Sequence, residues 1–202
     1  MDSEMILKWM QERKSVRSFT EQEVDTRLIF KIIDHVRLAP SGFNAQPWRF
    51  VIVKDKNMIQ KLYQYSGYQK QLNTASCVIV LYSDLLDVHG KVEDVLHPEM
   101  SPDKKRSDKK ALLETLEVAP DVLQSQGYIA LGYLLLALTA YSISSVPMLG
   151  FDLEKVKAML KIKGSILSVV AAGYGVDEGH AHHRLALDEI ARLYEREERS
   201  LL

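Results

Sequence analysis

The amino-acid sequence predicts an α+β fold built as one unit, and three observations carry that prediction. Runs rich in Val and Ile are interspersed with segments whose apolar residues recur at helical spacing. The composition, 47% apolar and 26% charged, is that of a soluble globular chain and not of a disordered one. No internal repeat and no Pro/Gly-rich linker divides the 202 residues, so a single domain over 1–202 is expected. A chain of this length buries roughly 70% of its unfolded surface and needs no staples.

The elements follow in order. Ile6, Trp9 and Met10 share one side of a short helix over 5–13, and residues 13–19 follow as an extended segment. Asp25 and Thr26 can cap a second helix in which Ile29, Ile32, Ile33 and Val36 recur at i, i+3, i+4 and i+7. Pro40 and Gly42 end it, and a loop over 39–47 feeds a strand at 48–54. A helix through Met58, Ile59 and Leu62 leads to 76–83, a nearly continuous apolar run that reads as a strand buried on both faces. Residues 85–120 show no clear core pattern and carry Lys104, Lys105, Arg106, Lys109 and Lys110, the mark of a helical, solvent-facing excursion suited to a lid. The most apolar helix, over 126–141, is placed at the centre of the domain. A short strand at 143–149, a helix at 153–160, a strand at 165–174 and a charged amphipathic helix at 187–198 complete the chain.

Charge and cysteine content exclude several function classes. Lys and Arg number 26 against 27 Asp and Glu, which removes the broad attraction that nucleic-acid binding draws on. Cys77 is the single cysteine, and the acidic N-terminus lacks the apolar core of a secretory signal, so a reducing, cytoplasmic setting is expected. Residues 122–151 hold no charge, long enough to test as a membrane span. Gln124, Gln126, Thr139, Ser142, Ser144, Ser145 and Pro147 shorten the apolar part to 128–140, which reads as a core helix and not as a span.

Four constellations can carry chemistry. In an extended chain Arg13, Ser15 and Arg17 project to one side, aligning two guanidinium forks and a hydroxyl for a planar anion, with Lys14 adjacent. Solvated surface charge is the bland alternative for so short a cluster. The loop holding Pro40, Ser41, Asn44 and Gln46 is dense in amides that suit the edge of a heteroaromatic ring, although turn chemistry explains part of it. Pro147, Met148, Leu149 and Gly150 follow the apolar helix, and the glycine lets backbone approach a ligand, or simply makes a turn before a helix capped by Asp152. The fourth lies in 173–184, where glycine spacing does not fit a dinucleotide-binding turn and the clustered histidines lack zinc-ligand spacing; Arg184 is the ligand candidate there. There is no nucleophile elbow, and Cys77 sits inside an apolar strand as an inert thiol.

Taken together, these segments resemble the nitroreductase family of flavin-dependent oxidoreductases over nearly the whole chain. The matching pieces are Arg13-Lys14-Ser15-Val16-Arg17, Ala39-Pro40-Ser41 with Asn44-Ala45-Gln46-Pro47-Trp48, Pro147-Met148-Leu149-Gly150-Phe151-Asp152, and Gly173-Tyr174 with Arg184-Leu185. The resemblance implies a central mixed β-sheet flanked by helices, in an intertwined homodimer with FMN at sites across the interface. Arg13 and Arg184 would then hold the FMN phosphate with Lys14 and His182 nearby, Ser15 and Arg17 would reach the flavin, Pro40, Ser41 and Asn44 would come from the partner, and Gln46 would also bind the cofactor. The backbone of the Pro147–Met148–Leu149–Gly150 turn would face flavin N5 at Leu149 and Gly150, and Gln71 stands where some members place a cationic flavin ligand. The implied reaction is ping-pong hydride transfer from NADH or NADPH through N5 to nitroaromatic, quinone or similar small acceptors. Two rivals stand beside it: an FMN-binding module without turnover, and another flavin reaction such as reductive dehalogenation. Leu149 replaces a frequent Glu, His182 a frequent Lys, and the short tail after Arg184 leaves open whether the C-terminus embraces the partner.

Overall fold

The structure, a computed structural model, describes residues 3–194. Its elements run α1 (Ser3–Glu12), α2 (Thr26–Val36), β1 (Trp48–Val53), α3 (Lys56–Tyr65), β2 (Cys77–Ser83), α4 (Leu85–Gly90), α5 (Val92–Val95), α6 (Pro102–Val118), α7 (Pro120–Ser125), α8 (Gly127–Ala140), β3 (Ser144–Met148), α9 (Leu153–Leu160), β4 (Ser165–Gly173) and α10 (Leu187–Ile190). Local signals account for many of the starts. The Asp25 carboxylate accepts from the Arg27 N–H to open α2, and Asp55, Asp84, Ser101 and Asp152 cap α3, α4, α6 and α9 in the same manner.

Among the described residues the strands form one sheet in the order β1-β2-β4-β3, antiparallel at every pairing. The mixed sheet implied by the resemblance is therefore not seen in these strands; parallel pairing enters only at the isolated bridge between Ser15 and Ser145. Neighbouring strands run in opposite directions, β2 and β3 point the same way with β4 between them, and the parallel bridge comes from a segment outside the named strands.

β2 and β4 are central and buried on both faces, which is why 77–81 reads as an unbroken apolar run. On one face Ile79, Leu81, Val170 and Ala172 pack against Ile29 and Ile32 of α2 and Ala130, Leu134 and Leu138 of α8. On the other, Val78, Val80, Val169 and Ala171 pack against Ile59 and Leu62 of α3 and Val156 of α9. Pro147 is tolerated in β3 because that strand is at the edge, where a missing N–H breaks no ladder bond.

Three expectations are corrected. The 85–120 excursion has a core of its own: Val88, Val92, Leu112 and Leu123 are buried together with Ala45. Its apolar positions are few and spread over four short or polar helices, so no single window shows a period. Helix α8 is central only on one side. Gly127, Ala130, Leu134 and Leu138 are buried, while Tyr128, Ile129 and Tyr133 on the opposite face are exposed. Gly127 fits there because a Cβ would lie 2.1 Å from Leu167 Cδ1. The helix expected over 187–198 is formed only as α10; Ala191 leaves it with extended backbone (φ −135°, ψ 135°), and residues 195–198 lie outside the described residues. Residues 185–194 are exposed throughout, so no packing sustains a longer amphipathic helix. The stretch Pro120–Ala140 is long and apolar enough to cross a membrane by length and composition, yet its inner face packs on α2 and the sheet.

Cys77 is fully buried, and desolvation pushes its thiol up to about 11 from an ordinary value of 9.0. The native protein is expected to resist a thiol-specific disulfide reagent at pH 8 and to react once unfolded. Because the folded chain keeps a proton that the unfolded chain releases, stability falls as pH rises from about 9 to 11. Urea titrations at pH 8 and pH 11 should show Cys77→Ala losing roughly 1–2 kcal/mol less over that interval than the parent chain.

Candidate functional site

The Arg13–Arg17 segment is fastened along the outer edge of β3. The Val16 N–H donates to the Ser145 carbonyl (3.2 Å), and the parallel Ser15–Ser145 bridge runs the segment in the same direction as the strand. Further on, the Thr20 N–H donates to the Tyr174 carbonyl (2.8 Å) and the Val176 N–H to the Ser18 carbonyl (3.0 Å), tying the segment to the chain leaving β4. Val16 and Phe19 are buried in the core, so Ser15 and Arg17 face outward on either side of Val16. The shared direction places Arg13 toward the start of β3 and Arg17 toward its Leu149 end, roughly 13 Å apart at ~3.3 Å per residue.

The loop after β4 closes over this segment. Gly179 (φ +70°) passes so near that a Cβ would stand 2.9 Å from the Ser15 carbonyl oxygen. The same loop brings Arg184 back beside Arg13: burial first, and then the Arg184 guanidinium, pull the Arg13 pKa down. Among the described residues neither arginine has a carboxylate partner, nor does Arg17, whose Nη1 donates to the Ser15 carbonyl (3.2 Å). Lys14 is engaged by Glu178, Nζ to Oε2 3.8 Å. His182 joins the cluster beside Arg184. Arg184 Nη2 lies 3.2 Å from Nδ1, and a guanidinium only donates, so Nδ1 accepts; Nε2 then donates to the Gln11 carbonyl (3.1 Å). His182 thus holds Arg184 in place through one ring nitrogen and the Gln11 backbone through the other.

The second group of expected residues sits on a strained loop. Phe43, Asn44 and Gln46 all have left-handed backbone, φ 54°, 54° and 45°. Ser41 Oγ accepts from the Gln46 N–H (3.0 Å), and Gln46 Nε2 donates to the Asn44 carbonyl (3.1 Å). Asn44 Nδ2 donates to the Val95 carbonyl (2.7 Å), tying the loop to the excursion, and Ala45 is buried in the excursion's core. Arg49, missed in the sequence, is the anchor: Nη1 donates to the Gln46 carbonyl (2.8 Å) and Nε to Asp87 Oδ2 (2.8 Å). The Arg49 and Lys91 hydrogen bonds hold the Asp87 carboxyl below its ordinary range. Pro40 precedes this loop, exposed.

Leu149 and Gly150 follow Pro147 and the buried Met148 at the end of β3; Leu149 is 71% exposed and Gly150 has φ +85°. Gln69 Nε2 donates to the Leu149 carbonyl (2.7 Å), and Gln71 Nε2 donates to Gln69 Oε1 (2.9 Å). Gln71 therefore reaches the turn through Gln69, a residue the sequence reading passed over. Its signal was the alternation of Gln69 and Gln71 after the Ser66-Gly67 turn.

The structure thus brings together Arg13, Lys14, Ser15, Arg17, His182 and Arg184 along β3, with Leu149, Gly150 and Gln71 at that strand's far end. It does not bring in Pro40, Ser41, Asn44 and Gln46, which among the described residues share no hydrogen bond with the arginine cluster. The cluster suits an anion: among the described residues two guanidinium groups converge without a countercharge, and the Gly150 N–H, with no partner among them, stands at the other end. A molecule carrying a phosphate at one end and a flat ring acceptor at the other matches that layout. Within one chain the surface is open, with Arg17, Leu149, Gly150 and Arg184 exposed.

Comparison with known proteins gives a consistent picture. The model of the Nitroreductase family matches residues 10–174. The chain is similar to a Thermus thermophilus protein named NADH dehydrogenase, 37% identical over 88% of this chain and 90% of that protein. Its fold matches a nitroreductase family protein from Streptococcus pneumoniae with a TM-score of 0.82, 27% identity, 93% of this chain and 99% of that one. A structure from Exiguobacterium sibiricum described as in complex with FMN has a TM-score of 0.81 at 20% identity, covering 94% and 97%, and shares the fold.

An anion between Arg13 and Arg184 should relieve their repulsion. Inorganic phosphate at tens of millimolar is expected to raise the Tm of the ligand-free protein by several degrees, beyond a chloride control of equal ionic strength. Arg13→Ala should abolish most of that increment; an equal increment in the variant removes the cluster as the binding place.

Proposed function

The chain belongs to the nitroreductase family, and from that premise we propose that it is an FMN-dependent, NAD(P)H-utilising oxidoreductase working as a homodimer. The observation that carries the proposal is the convergence of Arg13 and Arg184 from opposite ends of the chain, both without a carboxylate partner among the described residues. FMN held by these residues would supply a hydride-accepting and hydride-donating ring nitrogen, the chemistry by which NADH or NADPH and then a nitroaromatic, quinone or similar acceptor would be served by turns in a ping-pong sequence.

Arg13 and Arg184 hold the phosphate through charge-assisted bonds, with His182 fixing the plane of Arg184. Lys14 adds positive charge tempered by Glu178. Arg17, seated toward the Leu149 end, places a cation where the ring gains negative charge on reduction, and Ser15 offers a hydroxyl between them. The Gly150 N–H orients the ring edge. Leu149 presents an apolar side chain beside it, which favours an apolar, planar acceptor over a charged one. No carboxylate or imidazole is called on as an acid, so the product takes its proton from solvent.

The partner reading rests on helix α8. A helix apolar on all sides is a helix buried on all sides, yet Tyr128, Ile129 and Tyr133 face outward, and the two helices that contact α8 also carry exposed apolar residues, Met5, Ile6 and Met10 on α1 and Phe30 on α2. A second copy covering this face would also bring its Ser41–Gln46 loop, which the arginines of its own chain do not meet, to the flavin of the first. The 85–118 excursion, bonded to that loop through Asn44 and Val95, then becomes a cover over the acceptor slot. The near-neutral charge gives no basis for nucleic-acid partners, and the second copy, not a bilayer, is the cover for α8; the cytoplasm remains the setting we assign.

Arg13→Ala and Arg184→Ala should each weaken FMN binding by about 1.5–3 kcal/mol, read from flavin fluorescence in titrations of the ligand-free protein. Unchanged affinity in both variants refutes the phosphate assignment. Tyr133→Asp, which puts a charge into the apolar α8 face, should turn a dimeric species in sedimentation velocity into monomer and lower FMN occupancy with it. A monomeric parent protein retaining full FMN occupancy overturns the shared-site reading.

A further inference from the structure

Gln69 lies outside every constellation that the sequence singled out, yet it is the side chain that grips the turn after β3. Its backbone is fixed first: Ser66 Oγ, on a buried serine, donates to the Tyr63 carbonyl (2.7 Å) and accepts from the Gln69 N–H (3.0 Å). Its side-chain amide is fixed next. Gln71 Nε2 donates to Gln69 Oε1 (2.9 Å), which leaves Gln69 Nε2 to donate to the Leu149 carbonyl (2.7 Å). Turned over, the amide would set its oxygen against that carbonyl and its NH2 against the donor of Gln71.

The Leu149–Gly150 peptide is trans, so a carbonyl drawn toward Gln69 sends the Gly150 N–H the opposite way, where among the described residues it has no partner. Gly150 has φ +85°, and a glycine there leaves the peptide free to turn over, exchanging its N–H for its C=O. The unit therefore has two orientations, and Gln69 selects one.

The choice matters to a ring nitrogen that changes hydrogen-bonding character. Oxidised flavin N5 carries a lone pair and accepts. Reduction by hydride puts a hydrogen on N5, which then donates. A fixed peptide N–H is complementary to the first state and opposed to the second, whereas a carbonyl in that place has the reverse preference. We propose that Gln69, oriented by Gln71, is a positioning residue that locks the Leu149–Gly150 peptide with its N–H toward the flavin and so favours oxidised over reduced FMN. This rests on the FMN reading above. The same bond viewed as a mere clasp between two loops predicts something else: its loss would weaken both redox forms alike.

The test measures dissociation constants for oxidised and for dithionite-reduced FMN, together with the two-electron midpoint potential of the bound flavin. In Gln69→Leu the carbonyl is released, and the oxidised-to-reduced dissociation-constant ratio should rise about tenfold, equivalent to a midpoint about 30 mV more positive. Gln71→Leu, which leaves Gln69 in place but unoriented, should move the ratio in the same direction by two- to fourfold, and it carries the test if Gln69→Leu does not fold. In the ligand-free protein the Gly150 amide resonance should shift in both variants. Bound FMN with the ratio within twofold of the parent in the variants that fold overturns the role of Gln69 while leaving the FMN reading intact. A parent chain that binds no FMN overturns both.

Discussion

Like charges held together without a countercharge cost free energy, and the Arg13–Arg184 pair is the constraint around which the rest of this molecule is arranged. A chain with 27 acidic residues has ample means to neutralise two guanidinium groups, and it spends them elsewhere: Lys14 goes to Glu178, Arg37 to Asp34, Arg49 to Asp87. Among the described residues the arginines that line β3 are paired with no carboxylate. Their repulsion is tolerable because each is fixed independently, Arg13 by the end of α1 and the β3 bridge, Arg184 by His182 and the His183 carbonyl. An anion arriving there finds its donors already placed and meets little further ordering cost.

The edge position of β3 makes this arrangement attainable. An interior strand has both ladders occupied; β3 uses one edge for β4 and offers the other to the segment carrying Ser15 and Val16. Pro147 removes a donor from that strand, which discourages a longer strand from adding to it and leaves its far end to the Leu149–Gly150 turn. The site thereby gains two ends of different character on one rigid support. The arginine end is set by charge and by crossing backbones, the turn end by one peptide unit and the amide that holds it.

Much of this was legible in the sequence because it is local. The Asp25 cap, the Ile29–Val36 periodicity and the β-rich runs depend on neighbours within a few residues, and each formed where the pattern put it. The arginine cluster was legible as residue types in order, but that Arg13 and Arg184 meet is a property of the sheet, decided by β4 lying beside β3. The core of the excursion was hidden because Val88, Leu112 and Leu123 share it with Ala45, a loop residue far away in sequence that carries no hydrophobic signal of its own. Gln69 was hidden for a similar reason: a glutamine in a polar loop is ordinary until its partner, a backbone carbonyl at Leu149, is known. Backbone acceptors leave no mark in a sequence.

The strain in the Phe43–Gln46 loop belongs to the same logic. Three non-glycine residues in left-handed backbone cost of order 1–3 kcal/mol each, and the chain holds them there with Arg49, Ser41 and the packing of Ala45 against the excursion. None of those restraints serves the arginine cluster of the same chain, so a purely internal account leaves the strain without a return. In the homodimer proposed above the account would close, because the loop that one copy keeps in an unfavourable shape would complete the other copy's site. Covering the outward face of α8 and presenting the strained loop would then be one event, and the free energy gained by burying Tyr128, Ile129 and Tyr133 would offset the cost of keeping Phe43, Asn44 and Gln46 where they are.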